Sequence, residues 1–181
     1  AAAGASGKKL ALSDISTALS QRSPRLQSGI AEVDKVLGGG FVAGSVNLLA
    51  GQPGIGKSTL LLQLAHNASK NHKVLYISGE ESAQQIAMRA ERLKAADKTL
   101  QLAVSTVAND IAATISSGEY ELVIIDSIQT VAVNEIASAA GNVSQITNSA
   151  QLLSAAAKAS NTAIILVGHV TKEGSIAGPK I

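Results

Sequence analysis

The sequence lacks cysteine and tryptophan and is poor in aromatic residues of any kind. Phe41, Tyr76 and Tyr120 are the only Phe or Tyr residues among its 181 positions. Without cysteine there is neither a disulfide framework nor a thiolate metal site. So few aromatic rings leave little from which to build a base-stacking platform for single-stranded nucleic acid. The core must therefore consist of Leu, Ile, Val and Ala.

Strong charge and long apolar runs are also absent. The formal net charge of +2 is too small to identify a nucleic-acid partner by itself. No apolar run approaches the roughly 18 residues that suggest a membrane-spanning helix, and no secretory signal peptide is visible. These features predict a soluble, cytoplasmic protein with no membrane partner. The length predicts one domain with enough chain for a full core.

The first 24 residues differ in composition from the rest of the sequence. Residues 1–9 are small and polar or basic, and they resemble a linker or an expression remnant. Residues 10–24 carry a weak apolar pattern that ends at Pro24. We therefore predict a flexible linker or arm over 1–24 and a globular domain over 25–181.

A glycine-rich loop between a predicted strand and a predicted helix is the strongest motif. It fits G-x-x-x-x-G-K-[ST] and consists of Gly51, Gln52, Pro53, Gly54, Ile55, Gly56, Lys57, Ser58 and Thr59. Glycines let successive backbone N–H groups point at an anion, and the following helix adds its positive N-terminal end. We predict that these residues bind the phosphates of ATP, with Lys57 at the β- and γ-phosphates and the Ser58 hydroxyl on Mg²⁺. A plain glycine turn is the structural alternative.

Strands and helices alternate through the rest of the sequence. Apolar runs predict strands over 46–50, 74–78, 100–104, 122–126 and 163–167. Helical patterns separate them at about 58–70, 83–93, 106–117 and 144–159, with Thr106 as the predicted cap of the third. Because most of the strands are continuously apolar, we predict an α/β fold with a mostly parallel central sheet and helices on both faces.

Polar residues stand where several of these strands end, which is where ligands bind in such sheets. Asp126 fits the carboxylate that holds Mg²⁺ through its water shell. Glu80 is a candidate to position and polarise an attacking water, and His169 is a candidate γ-phosphate sensor. The predicted catalytic residues are thus Glu80, Lys57 and His169, and the predicted metal ligands are Ser58 and Asp126.

Two of these assignments have a structural alternative. Glu80 or its neighbour Glu81 could favour the start of the next helix through the helix dipole, with Ser82 as the cap. We assign Glu81 to that role. His169 could be an ordinary hydrogen-bonded core residue.

The order of the motifs resembles the RecA-type ATPase core and, more closely, the RadA (Sms) family of bacterial DNA repair proteins. The resemblance covers about residues 10–181, and it is most specific over 79–90 and 168–180. The stretches that carry it are 29–40, 51–59, 75–82 (LYISGEES), 123–129 (VIIDSIQ) and 167–174 (VGHVTKEG). It implies a RecA-like P-loop NTPase domain over 25–181.

The sequence also departs from that family. The family's four-cysteine zinc module is missing because there is no Cys, and its Lys-Asn-Arg-Phe-Gly motif and Lon-protease-like domain do not occur within these residues. We therefore expect the ATPase domain to be truncated, or incomplete, at its C-terminus.

The resemblance implies a Mg-dependent, DNA-stimulated ATPase of homologous recombination and DNA repair. Such a protein processes branched intermediates by helicase-like movement on single-stranded DNA. The implied partners are single-stranded or branched DNA, further copies in a ring (a hexamer in the full-length protein) and a recombinase. Loops at about 130–143 and 171–180 would face the DNA. Lys172 and Lys180 would then contact DNA phosphates or a neighbour's nucleotide, unless they are ordinary solvated lysines.

Two other functions remain open on sequence grounds. A RecA-like regulatory ATPase or autokinase of the circadian-clock type shares the Gly-Gly-Gly turn at 38–40 and the pair of glutamates after the second strand. A nucleotide-gated assembly module without enzymatic activity is the other alternative.

Overall fold

A parallel five-stranded sheet organises the fold in a computed structural model, which describes residues 8–20 and 24–170. The strands lie in the order β1-β5-β4-β2-β3, and every neighbouring pair is parallel. Their bounds are Val46–Gly51 (β1), Val74–Ser78 (β2), Leu100–Val104 (β3), Leu122–Asp126 (β4) and Ala163–His169 (β5). The predicted α/β fold with a parallel sheet is confirmed.

The helices alternate with the strands, as the apolar patterns predict. They are Ile15–Ser20 (α1), Ala31–Val36 (α2), Lys57–Ser69 (α3), Ala83–Arg92 (α4), Ala108–Ser116 (α5) and Val143–Ser160 (α6), with a 3-10 turn at Ile128–Thr130. Helix α1, within the predicted arm, has no buried residue. Helices α3 to α6 contribute buried residues to the core on the two faces of the sheet.

Two apolar clusters cover the two faces of the sheet. Successive strand residues point to opposite faces, so Tyr76 and Ile124 face one cluster while Leu75 and Val123 face the other. Helices α3 and α4 pack on the first face, and α5 and α6 pack on the second. Strands β2 and β4 are therefore buried along their whole length.

The helix starts agree with the sequence in one case and differ in another. Ser82 caps α4, with its hydroxyl accepting from the Gln85 N–H and the Gln85 side chain accepting from the Ser82 N–H. The predicted cap Thr106 is wrong, because Val107 is the cap residue of α5 and makes no side-chain capping bond. Backbone bonds on both sides of Val107 to Ala132 fix this helix start instead.

Among the residues that the structure describes, none of the helices combines the length and the hydrophobicity needed to cross a bilayer.

Candidate nucleotide-binding site

The glycine-rich loop joins β1, which ends at Gly51, to α3, which begins at Lys57. Gly54 and Gly56 have φ values of 81° and 94°, a left-handed backbone that favours glycine. A side chain at Gly51 would overlap the tip of the Ile55 side chain, which would have to move. The intervening residues 52–56 are exposed, and the loop lies at the carboxyl edge of the sheet.

The backbone N–H groups of this loop are free to bind an anion. From Gly54 to Thr59, none of them donates a hydrogen bond to another of the described residues. Leu60 is the first N–H of α3 that bonds back, to the Gly56 carbonyl. Gly56 caps the helix without a side-chain bond, so the positive end of the α3 dipole is open as well. This concentration of donors fits the phosphates of a nucleotide.

Lys57 is a buried lysine directed back into the loop. Its Nζ donates to the carbonyl oxygens of Gly51 and Gln52 at 2.7 and 2.8 Å. Burying an ammonium group is costly unless it is paired, and carbonyl dipoles compensate it less well than an anion does. The amine is therefore placed to exchange these carbonyls for phosphate oxygens.

Asp126 stands at the end of β4 with one oxygen engaged and one oxygen available. Its carboxylate is buried, and its Oδ2 accepts a 2.6 Å hydrogen bond from the Tyr76 hydroxyl. Its Oδ1 is buried too and has no partner within residues 8–20 and 24–170. An unpaired buried carboxylate oxygen is costly by itself, which fits a group awaiting a cation or its water shell.

Glu80, Ser127 and His169 come from three different strand ends and meet through one oxygen atom. Glu80 Oε1 accepts from the Ser127 hydroxyl at 2.5 Å and lies 2.7 Å from His169 Nε2. Within the described part of the chain, Glu80 Oε2 makes no hydrogen bond and His169 Nδ1 has no partner. The structure thus brings together two of the predicted catalytic residues, and their roles stay predictions.

The surroundings of Glu80 keep it ionised. Partial burial favours the neutral form, but the hydrogen bonds from Ser127 and His169 favour the charged form. The charges of His169 and Lys57 add to this effect, so the pKa of Glu80 lies below its usual range. An ionised carboxylate accepts hydrogen bonds only, so it orients a water molecule by accepting one of its protons.

Glu81 takes a different role from its neighbour. Its carboxylate forms a two-pronged pair with Arg89 of α4, with both nitrogen–oxygen distances at 2.9 Å. The pair attaches Glu81 to α4, and its role at the start of the helix stays a prediction. The backbone of both glutamates is held by Ser78, whose hydroxyl accepts hydrogen bonds from the Glu80 and Glu81 N–H groups.

Gly79, the first residue after β2, lies in close contact with the 3-10 turn that follows β4. A Cβ atom at Gly79 would overlap the Thr130 hydroxyl, which itself donates to the Ser127 carbonyl at 2.8 Å. Only glycine allows this approach, and the approach places Glu80 beside Ser127.

Gln145 of α6 is a buried amide that the sequence analysis missed. It holds the segment 131–142, which follows the 3-10 turn. Its Oε1 accepts from the Val133 N–H at 2.9 Å, and its Nε2 donates to the carbonyls of Ile136 and Ser138 at 2.9 and 2.7 Å. The segment contains one acidic residue, Glu135, and no Lys or Arg. Its shape is therefore well defined, but it offers no side-chain cation for a phosphate.

Tyr76 is the second residue that the sequence analysis missed. A tyrosine within a buried strand was the available signal, since a buried Tyr hydroxyl usually finds a hydrogen-bond partner. The identity of that partner, 50 positions away, depends on the pairing of β2 with β4.

Two predicted features cannot be placed. Lys172 and Lys180, with the whole predicted DNA-facing stretch 171–180, lie outside the described residues.

Across the ranges that are described, no cluster of three or more His, Cys, Asp or Glu side chains could hold a metal ion. The Mg²⁺ prediction therefore depends on Ser58 and Asp126, a donor set of the kind that leaves most of the ion's ligands to water and phosphate.

Comparison with known proteins identifies related sequences over nearly the whole chain. The family described as AAA domain matches residues 12–175. DNA repair protein RadA from Brucella abortus (strain 2308) is 49% identical over 97% of this chain and 38% of its own length. The protein of that name from Pseudomonas aeruginosa is 46% identical over 98% of this chain and 39% of its own length. The one from Escherichia coli K12 is 45% identical over 94% of this chain and 36% of its own length. The chain thus spans well under half the length of these relatives.

Proposed function

This chain belongs to the AAA domain family, and we propose that it is the ATP-binding and ATP-hydrolysing core of a DNA-dependent repair ATPase. The observation that supports this most strongly is the meeting of four groups at one sheet edge. They are the unpaired loop N–H groups, Lys57, the buried Asp126 and the Glu80–His169 pair. The repair role comes from the relatives named DNA repair protein RadA.

In the proposed mechanism, the loop binds the triphosphate first. The N–H groups from Gly54 to Thr59 donate to phosphate oxygens at the open N-terminus of α3. Lys57 Nζ gives up the Gly51 and Gln52 carbonyls and donates to the β- and γ-phosphates. Gly54 and Gly56 already hold the left-handed backbone that the curled loop uses.

Ser58 and Asp126 hold Mg²⁺ in this proposal. When bound, the ion neutralises charge on the transferring phosphoryl group. Ser58 contributes its hydroxyl from the first turn of α3. Asp126 contributes Oδ1, the oxygen that Tyr76 leaves unbonded, and accepts from the waters around the ion.

Glu80 orients the attacking water through Oε2 while Ser127 and His169 hold Oε1. Because the pKa of Glu80 is lowered, its carboxylate is ionised before the water binds and accepts a hydrogen bond from that water. His169 is the last residue of β5, the strand between β1 and β4. In this proposal His169 responds to the γ-phosphate and passes that response to Glu80 through Nε2, which lies 2.7 Å from Glu80 Oε1.

On DNA, we propose the finer activities that the family resemblance implies. These are homologous recombination, processing of branched intermediates, helicase-like movement on single strands, a hexameric ring and a recombinase partner, all in the cytoplasm. The segment 131–142 has no cation, so contacts from it would use backbone and amide groups. Salt-sensitive phosphate binding would then come from other residues, with Lys172 and Lys180 as the candidates.

The test is Mg-ATP hydrolysis by a version of the protein extended to the length of its relatives, with and without single-stranded DNA at low and high salt. Stimulation that weakens at high salt is the expected result, because phosphate contacts release counterions. Lys57→Ala serves as the inactive control. Intact nucleotide binding with no response to DNA would overturn the DNA-dependent role, and transfer of the γ-phosphate to the protein would indicate an autokinase instead. Nucleotide-dependent assembly without hydrolysis would indicate the assembly module.

A further inference from the structure

Tyr76 connects the interior of the sheet to the carboxylate proposed for the metal. It lies in the middle of β2, is 1% exposed, and packs in the apolar cluster under α3 and α4. Its hydroxyl donates to Asp126 Oδ2 at 2.6 Å, a short bond typical of a hydroxyl on an ionised carboxylate. No other side chain among the described residues bonds to that carboxylate.

The bond determines which way the carboxylate faces. The ring of Tyr76 is buried in that apolar cluster, which restricts its movement, so its hydroxyl can hold the carboxylate in one orientation. Rotation of the Asp126 carboxylate is therefore restrained, with Oδ2 directed into the core at Tyr76 and Oδ1 left unbonded. Ligand orientation by a second layer of hydrogen bonds is a general feature of metal sites.

The other carboxylate of the site is held in a different manner. Glu80 is partly exposed, and two groups bond to its Oε1, Ser127 and His169, of which His169 is itself at the surface of the site. Asp126 depends on one buried hydroxyl. Loss of that hydroxyl therefore removes the one side-chain hydrogen bond that the described residues make to the Asp126 carboxylate, whereas Glu80 keeps one bond if either partner is lost.

We propose that Tyr76 is a positioning residue that holds Asp126 with Oδ1 turned toward the Mg²⁺ of the bound nucleotide. The inference rests on the proposed function, since it assumes that the loop binds a Mg-nucleotide. Tyr76 does not touch the nucleotide or the ion. It acts by presenting one defined oxygen, so its effect should appear in the response to Mg²⁺ and leave metal-free nucleotide binding unchanged.

Tyr76→Phe removes the hydroxyl and keeps the ring. The Mg²⁺ concentration that half-maximally strengthens binding of a fluorescent ADP analogue should rise by up to ~10-fold, at the lower end of the range for such outer partners. Affinity for the analogue in EDTA should change less than about twofold. Tyr120→Phe is the matched control, because the Tyr120 hydroxyl donates to Gln101 at the far edge of the sheet. It should leave both values unchanged.

A second measurement needs no change at Tyr76, and so it covers the case in which Tyr76→Phe does not fold. The protein has no Trp and two Tyr residues, so the intrinsic tyrosine emission of Tyr120→Phe reports Tyr76 alone. With ADP present throughout, adding Mg²⁺ should change that emission. The positive charge of the ion attracts electron density of the Asp126 carboxylate, and this alters the hydrogen bond that the Tyr76 hydroxyl donates. Adding NaCl to the same ionic strength should leave the emission unchanged.

The outcomes separate this inference from the function beneath it. If the wild-type protein binds no nucleotide, or binds it equally well with and without Mg²⁺, the proposed function fails. If wild type responds to Mg²⁺ and Tyr76→Phe responds at the same concentrations, the positioning role is overturned. Equal losses of affinity in EDTA and in Mg²⁺ would also overturn it, because they would show a purely structural effect. An unchanged emission on adding Mg²⁺ counts against it in the same way.

Discussion

The two edges of the parallel sheet each carry a glutamate beside a histidine, and the two pairs differ in their surroundings. At the carboxyl edge, Glu80 Oε1 lies 2.7 Å from His169 Nε2. At the amino edge, Glu121 Oε1 lies 3.1 Å from His72 Nδ1. In both pairs burial opposes ionisation, the hydrogen bonds outweigh it, and the pKa of the glutamate is lowered. The chemistry of the pair alone therefore does not distinguish a functional site.

What surrounds the pairs does distinguish them. Glu121 Oε2 accepts from the Lys73 N–H, and the Glu121 N–H donates to the Lys73 carbonyl, so this glutamate joins the starts of β2 and β4. Glu80 keeps an oxygen unbonded among the described groups and shares its edge with Lys57, whose charge contributes to its lowered pKa. A glutamate whose oxygens are all bonded to the fold supports structure, and one that is left partly unbonded beside an anion site can act on a ligand.

The largest expected effect comes from the lysine at the carboxyl edge. Lys57→Ala should abolish measurable ATP binding, since it removes charge-assisted bonds of about 1.5–3 kcal/mol each, or more than ~100-fold for two of them. Lys70→Ala, at the other end of α3, is the control and should bind as wild type does. Titration with a fluorescent ATP analogue measures both. Similar dissociation constants for the two variants would show that the loop does not bind phosphate.

The next effect compares the two glutamates directly. Glu80→Gln should retain ATP binding and lower the hydrolysis rate by ~10²–10⁴, the usual contribution of a general base. Glu121→Gln should lower it less than about twofold. Steady-state phosphate release by the length-extended protein, with binding measured in parallel, checks both values. Wild-type hydrolysis in Glu80→Gln would contradict its assignment as the residue that orients water.

The smallest effect concerns stability at the amino edge. The folded pKa of Glu121 is below the unfolded value of about 4.3, so its ionised form stabilises the fold above that value. This contribution is lost as pH falls through the folded pKa. Because the side chain is 54% exposed, it should not exceed about 1 kcal/mol.

Thermal unfolding followed by circular dichroism between about pH 3 and pH 7 tests this expectation. The gap in melting temperature between wild type and Glu121→Gln should be present at neutral pH and should close at acid pH. Glu119→Gln, two positions earlier and exposed, should show no such gap. A gap that widens toward acid pH would contradict the assigned sign.

The site was predictable from the sequence to the extent that it depends on local pattern. The loop 51–59 carries its own glycines, and an apolar strand that ends in Asp126 can be recognised without its neighbours. The same holds for the position of Glu80 after β2. The error at Thr106 has the opposite cause: the residue has good capping chemistry, but the backbone pairing of Val107 with Ala132, which comes from a distant segment, determines where α5 begins.

The sequence by itself determined the kind of fold and the kind of ligand, because hydrophobic period and glycine spacing act over a few residues. The tertiary structure decided which groups meet. By inserting β5 between β1 and β4, it brings His169 to Glu80, 89 positions earlier, and by pairing β2 with β4 it places the Tyr76 hydroxyl on Asp126. Contacts of this kind follow from strand order, which local patterns do not encode because the apolar run of a strand does not say which other strand it pairs with.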